Sequence, residues 1–312
     1  MSVPSLGQDM GVIYCLLAAI AWGTTGTVAS LAPEVPAPAI GAAAMGLGGL
    51  LQAAIAWRAI RDAREGLGRT WGLLVVGAIA VAIYPLAFYS SMRLAGVTIG
   101  TVISIGSAPL VSALLENRLE RRPLSLRWAI GAAIGIAGMI LLSRADADHG
   151  AIAPDAPLGV GLGLVAGGTY ALYSWTAGQL MQRRIPAMAA MGATFGLGGL
   201  LLMPVLAATG GPLLDGPRNF AVGAYMVIVP MFLGYIAFGR GLERIASSLA
   251  TTITLFEPVV AALLAVLIVG ERLPVTGWLG VALILACLLW ITLPLPRLPA
   301  ERRLRRATVP RR

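Results

Sequence analysis

The chain of 312 residues is 58% hydrophobic and only 12% charged, with its charges clustered between apolar runs of about twenty residues, the helix length that spans a hydrocarbon core. Continuous runs rich in Ala, Leu and Gly, without period-two alternation, predict an all-α membrane protein and exclude a transmembrane β-barrel. The 23 basic residues are all arginines that flank these runs with no aromatic interleaving, so the net charge of +9 points to membrane orientation and not to nucleic-acid binding.

Ten helices are expected, at about residues 11–31, 37–57, 70–92, 96–116, 124–143, 158–181, 186–208, 219–239, 246–269 and 275–294. No basic stretch precedes the first, so no cleaved leader is expected, and helix 1 carries Trp22 and a buried-type cysteine, Cys15. Helix 3 carries Tyr84, Pro85 and Phe88, with the two rings on one face. Helix 4 carries Thr98, Thr101, Ser104 and Ser107 before Pro109. Steps of three residues wind around the axis, which leaves Thr101 and Ser104 as its central polar pair. Asn117 and Arg118 then predict an early end to this helix. After a Gly-rich helix 5, residues 145–157 (ADADHGAIAPDAP), with the sole histidine, His149, form a linker. Helix 6 brings Tyr170, Tyr173 and Trp175, helix 8 brings Pro230, Tyr235 and Phe238, and helix 9 brings Thr254, Glu257 and Pro258. The proline-broken basic tail, 295–312, is expected to lie disordered on an anionic membrane surface.

Residues 35–51 (VPAPAIGAAAMGLGGLL) match residues 185–201 (IPAMAAMGATFGLGGLL) at ten of seventeen positions. Further blocks keep the same order: YPLAFYSSMRLA at 84 with YIAFGRGLERIA at 235, Pro109–Leu115 with Pro258–Leu264, and ERRPLSLRW at 120 with ERLPVTGW at 271. The chain is therefore read as a tandem duplication, with a first five-helix repeat over 1–144, the linker, and a second repeat over 158–294. An odd number of crossings per copy inverts the second relative to the first and places a shared site where the two meet. Only Arg93, Arg144, Arg218 and Arg272 fall on one side of this topology, so the positive-inside rule puts both termini in the cytoplasm.

Glu257 sits about eleven residues into its span, near the membrane midplane, where an unpartnered carboxylate costs several kcal/mol. Two readings fit it. It is a site for a substrate ammonium or a coupling proton, or it is a protonated carboxyl that satisfies backbone groups freed by Pro258. The hydroxyls of Thr101, Ser104 and Thr254 fit either a cavity wall or bonds to a neighbouring turn. Trp22, Tyr84, Phe88, Tyr170, Tyr173 and Tyr235 fit the wall of an apolar pocket with polar tips, or helix packing. Pro109 and Pro258 recur at matching positions and are expected to act as gating bends. The GVGLG run at 159 follows no strand, and the chain has no lysine, which excludes a nucleotide loop.

Two repeats of five helices, AAIAWGTTG in helix 1, and FEPVVAALLAVLIVGERLPVTGWLG across helices 9 and 10 resemble the EamA family of the drug/metabolite transporter superfamily. The resemblance spans nearly the whole chain. It implies a ten-helix transporter in the inner membrane of a bacterium, without cofactor or metal, whose central cavity lies between helices 1, 3 and 4 and their counterparts 6, 8 and 9. It also implies small organic solutes as substrates, with exporters of amino acids, aromatic ones included, among its members. The expected function is export of neutral or aromatic amino acids by alternating access, with proton coupling through Glu257 as one option. Cationic drugs or nucleobase-like metabolites are the alternative cargo. An intramembrane enzyme is disfavoured, because no second acid or histidine accompanies Glu257 at membrane depth.

Overall fold

The computed structural model describes residues 6–95, 97–147, 155–264, 266–267 and 274–293. Among them the chain is helical and contains no strand. The long helical segments, in chain order, are α1 (Gln8–Ala29), α2 (Ala37–Asp62), α3 (Trp71–Ala95), α4 (Val97–Leu119), α5 (Leu126–Ala147), α6 (Ala156–Gln182), α7 (Ala187–Thr209), α8 (Pro217–Leu242), α9 (Ser247–Leu264) and α10 (Val275–Thr292). Seven of them, α1 to α3 and α7 to α10, are long and apolar enough to cross a membrane. His149, Arg272 and the tail beyond residue 293 lie outside the described residues.

Local chemistry sets the boundaries. α2 and α7 both start after a proline in extended conformation, Pro36 and Pro186, whose carbonyls accept the first bonds of each helix, from Ala39 and Ala190 at 2.9 Å. The matching Pro-Ala pair of the duplication is thus a helix start in both copies. Arg184, at φ 65°, reverses the chain after α6, and the Ile185 amide reaches back to the Leu180 carbonyl at 3.2 Å. The expected early end of α4 at Asn117 is not met, for the helix continues to Leu119. Asn117 donates its side-chain amide to the Arg122 carbonyl at 3.0 Å, and Arg121 turns the chain at φ 54°. The helix thus runs past Asn117 and Arg118, and the turn at Arg121 ends it.

Packing follows the duplication. α1 lies against α8 and α9, and α6, its counterpart, lies against α3 and α4. α2 packs on α7 and α5 on α10. Both of these like-with-like contacts depend on absent side chains: a Cβ on Gly49 would come within 2.2 Å of the Phe195 carbonyl oxygen, and one on Gly138 within 2.8 Å of the Gly280 carbonyl oxygen. The glycines of the MGLGGLL and FGLGGLL segments are therefore kept by backbone-to-backbone approach. Leu17, Ile55, Ile79, Leu200 and Leu285 remain exposed on the outside of the bundle, an apolar rim suited to lipid.

Three helices depart from regular geometry. α2 contains a π-helical stretch, Ala42–Leu47, α8 contains another, Val227–Leu233, around Pro230, and α9 tightens to a 3-10 turn over Thr254–Phe256. Pro230 supplies no amide hydrogen, and the widened turn leaves carbonyls for other helices to use. The Trp22 indole Nε1 of α1 donates to the Pro230 carbonyl at 2.8 Å, and the Gln52 amide of α2 donates to the Met231 carbonyl at 3.2 Å.

Candidate functional site

These irregular segments surround one central cavity. α1 contributes Trp22 and Thr25; α2 contributes Gly41, Ala44 and Met45; α3 contributes Tyr84, Pro85, Phe88 and Tyr89; α8 contributes Met231 and Tyr235; and α9 contributes Glu257. The free space is about 20 Å³, enough for one water molecule. A solute of amino-acid size needs more room than this, so the helices must part to admit one.

Aromatic packing fixes the wall. Trp22, oriented by its bond to Pro230, sits 4.7 Å from the Tyr235 ring and 5.2 Å from that of Phe238, centroid to centroid. Tyr84 and Phe88, one turn apart on α3, stack at 5.5 Å with their planes 20° apart. Behind this wall lies a second aromatic layer from α6. Tyr173 shares a 2.7 Å hydrogen bond between hydroxyls with Tyr235, and Tyr170 shares one of 2.8 Å with the Thr254 hydroxyl. Thr254 also donates to the Thr251 carbonyl at 2.9 Å, so this layer is internally satisfied and fully packed.

Glu257 is partly exposed to the cavity and lies at the foot of the 3-10 turn, next to Pro258. Among the described residues no cation and no hydrogen-bond donor reaches its carboxyl group. It shares the cavity lining with the rings of Trp22, Tyr84, Phe88, Tyr89 and Tyr235. An acid enclosed by π-systems offers a cation both a charge partner and ring faces.

Of the residues singled out in the sequence, Trp22, Tyr84, Phe88, Tyr235 and Glu257 are brought together at the cavity. Tyr170, Tyr173 and Thr254 stand one layer behind. Thr101 and Ser104 are elsewhere: Thr101 donates to the Met92 sulfur at 3.4 Å, and Ser104 is buried without a partner. Pro109 is buried within α4, and Pro258 directly follows Glu257. The lining residues not expected at a binding site from the sequence are Gly41, Ala44, Met45 and Met231, together with Thr25, Pro85 and Tyr89. Among the described residues no three His, Cys, Asp or Glu side chains cluster as metal ligands. Cys15 and Cys287 are free and buried.

A second polar constellation joins α4, α6 and α9 near the chain turns that carry Arg121, Arg122, Arg183 and Arg184. Glu116 of α4 is buried and accepts two hydrogen bonds from Ser248 of α9, from the backbone N–H to Oε1 at 2.9 Å and from the hydroxyl to Oε2 at 2.7 Å. One turn on, Glu120 Oε1 accepts from Trp175 Nε1 and from Gln179 Nε2 of α6, both at 2.8 Å, and its Oε2 pairs with Arg122 at 2.9 Å. Neither acid was singled out in the sequence. The i, i+4 spacing of Glu116 and Glu120 puts them on one face.

An all-helical bundle with apolar spans, a two-copy packing scheme and an enclosed central cavity defines a multi-pass membrane transporter. The chain belongs to the EamA-like transporter family, which matches residues 9–144 and 157–293. It is 33% identical over 282 residues to the uncharacterized transporter YwfM of Bacillus subtilis (strain 168), covering 90% of this chain and 93% of that one. The threonine/homoserine exporter RhtA of Escherichia coli (strain K12) is 27% identical over 285 residues, or 90% of this chain and 91% of its own. A solved crystal structure matches the fold with a TM-score of 0.77 at 20% identity, covering 95% of this chain and 99% of the other.

Proposed function

We propose that this transporter exports neutral amino acids, aromatic or aliphatic, and that the cavity at Glu257 is where they bind. The observation that carries the reading is the lone carboxyl group inside an aromatic enclosure, with no cation among the described residues to neutralise it. A substrate ammonium fits that vacancy in charge, and the ring faces of Tyr84, Phe88 and Trp22 suit its side chain. The similarity to RhtA, a threonine/homoserine exporter, supports a zwitterionic cargo over a purely apolar one.

The reading includes ten crossings, two repeats over 1–144 and 158–294 in opposite orientation, both termini in the cytoplasm and an inner-membrane location. The arginine distribution supports it, since all but four of the arginines fall at one face of this topology. The bends at Pro109 and Pro258 then sit at corresponding points of the two halves and serve alternating access. A carboxyl group that meets no internal cation also suits exchange of a proton for the substrate ammonium.

Counterflow of labelled amino acids in proteoliposomes tests the substrate class. Wild-type protein is expected to exchange neutral amino acids, and Glu257→Gln to lose at least about tenfold in rate, the effect of removing one charge-assisted contact. Equal rates in the variant would remove Glu257 from the site. Exchange of nucleobases or cationic drugs with no amino-acid flux would overturn the substrate class. A pH gradient separates coupling from facilitated diffusion, because coupled uptake is lost in Glu257→Gln and uncoupled uptake is indifferent to the gradient.

A further inference from the structure

At the end of α4 that leads into Arg121 and Arg122, buried polar groups join three helices. Glu116 ties α4 to α9 through both of its oxygens on Ser248. Glu120 ties the same end of α4 to α6 through Trp175 and Gln179. On the three helices thus joined, the hydroxyls of Ser104, Ser112, Ser174 and Ser247 are buried and have no hydrogen-bond partner among the described residues. Ser112 lies one turn before Glu116 on the same face of α4. A buried hydroxyl without a partner is costly and rare in native proteins, and each one calls for a reason.

A passage that is wet in one conformation and closed in another supplies that reason. Hydroxyls that line an aqueous path must be polar when the path is open, and they become orphans when it shuts. The central cavity lies between the aromatic layer of Tyr170 and Tyr173 and the Thr25 and Gly41 positions of α1 and α2.

We infer that Glu116 is the gate residue of the arginine-rich side: its two bonds to Ser248 hold α4 against α9, and their release opens a polar passage past Ser112, Ser174 and Ser247 to the cavity. Glu116 lines no part of the cavity, so it acts by positioning α9 and not by touching substrate. The backbone N–H of Ser248 belongs to the first turn of α9, where the helix end favours a carboxylate. The contact is therefore charge-assisted yet made and broken without leaving a charge in lipid, since Glu116 sits near the water-facing end of α4. By sequence the duplication places Ala265 opposite Glu116, so the clasp is built at one end of the transporter only.

The inference rests on the membrane orientation proposed above, and its test needs no substrate. With Cys15 and Cys287 replaced by alanine, single reporters Ser112→Cys and Thr25→Cys are labelled by a membrane-impermeant maleimide in right-side-out and inside-out vesicles. Adding Glu116→Gln is expected to raise labelling at Ser112→Cys by about tenfold and to lower it at Thr25→Cys, because opening one side closes the other. Ser248→Ala, which removes only the hydroxyl bond, should move both rates in the same directions by less. Unchanged rates at both reporters overturn the inference, and so do rates that rise together, the mark of a generally loosened bundle. Label that reaches Ser112→Cys only from the periplasmic side overturns the orientation and leaves the gate in place.

Discussion

Trp22 illustrates how one side chain serves two ends. Its ring walls the cavity and its indole N–H occupies a carbonyl that the π-helical stretch around Pro230 has left open. Trp22→Phe keeps an aromatic surface but strands that carbonyl, and a buried acceptor without a partner costs about 1–3 kcal/mol. Thermal unfolding in detergent should show the variant to be less stable than wild type; an unchanged midpoint would mean that the bond contributes nothing net. Among site residues, legibility tracked chemistry. Glu257 stood out because a carboxyl group in an apolar run has no ordinary reason to be there, and Trp22, Tyr84 and Tyr235 because large amphipathic rings are few. Ala44, Met45 and Met231 line the same cavity invisibly, since an apolar residue acquires that role only through position. Glu116 went unnoticed for the opposite reason, as acids at helix ends are common and only burial sets this one apart.

At the scale of helices, the duplicated glycines give the clearest case of sequence written for packing. Gly49→Ala would drive a methyl group to 2.2 Å from the Phe195 carbonyl oxygen, a backbone atom that cannot swing aside. α2 and α7 would have to separate, at about 1–3 kcal/mol for overpacking of this kind. Gly168→Ala in α6 meets nothing within 4 Å and should be neutral or stabilising by about 0.5–1 kcal/mol through helix propensity. Parallel melting curves of the two variants check the contrast, and equal loss in both would refute it. Polar clamps act at the same scale. Arg127 of α5 donates to the Trp290 and Leu293 carbonyls at the end of α10, and the Trp290 indole returns a bond to the Arg127 carbonyl at 3.0 Å. Arg127→Gln should destabilise the pairing of α5 with α10 by about 1–2 kcal/mol, read as a lower unfolding midpoint with the helix content of the folded state unchanged.

Across the whole molecule, the exchange of partners is the feature with most consequence. α1 of the first repeat packs on α8 and α9 of the second, and α6 of the second packs on α3 and α4 of the first, so neither repeat is a self-contained half. Reporter fusions after residue 62 should report the cytoplasmic side and those after residues 147 and 209 the opposite side, as the inverted topology requires, and a fusion that reports the same side at 62 and 209 would break it. Sequence alone determined the helical membrane class, the duplication, most helix positions and the conspicuous acid, because these depend on composition, hydropathy and periodicity along the chain. Tertiary structure alone decided which aromatics face the cavity, that Thr101 and Ser104 turn away from it, and that Glu116 reaches Ser248 across 132 positions. Those outcomes depend on helix rotation and crossing, which arise from the close approach of glycine faces and from π and 3-10 irregularities. No local pattern specifies either until the helices are packed together.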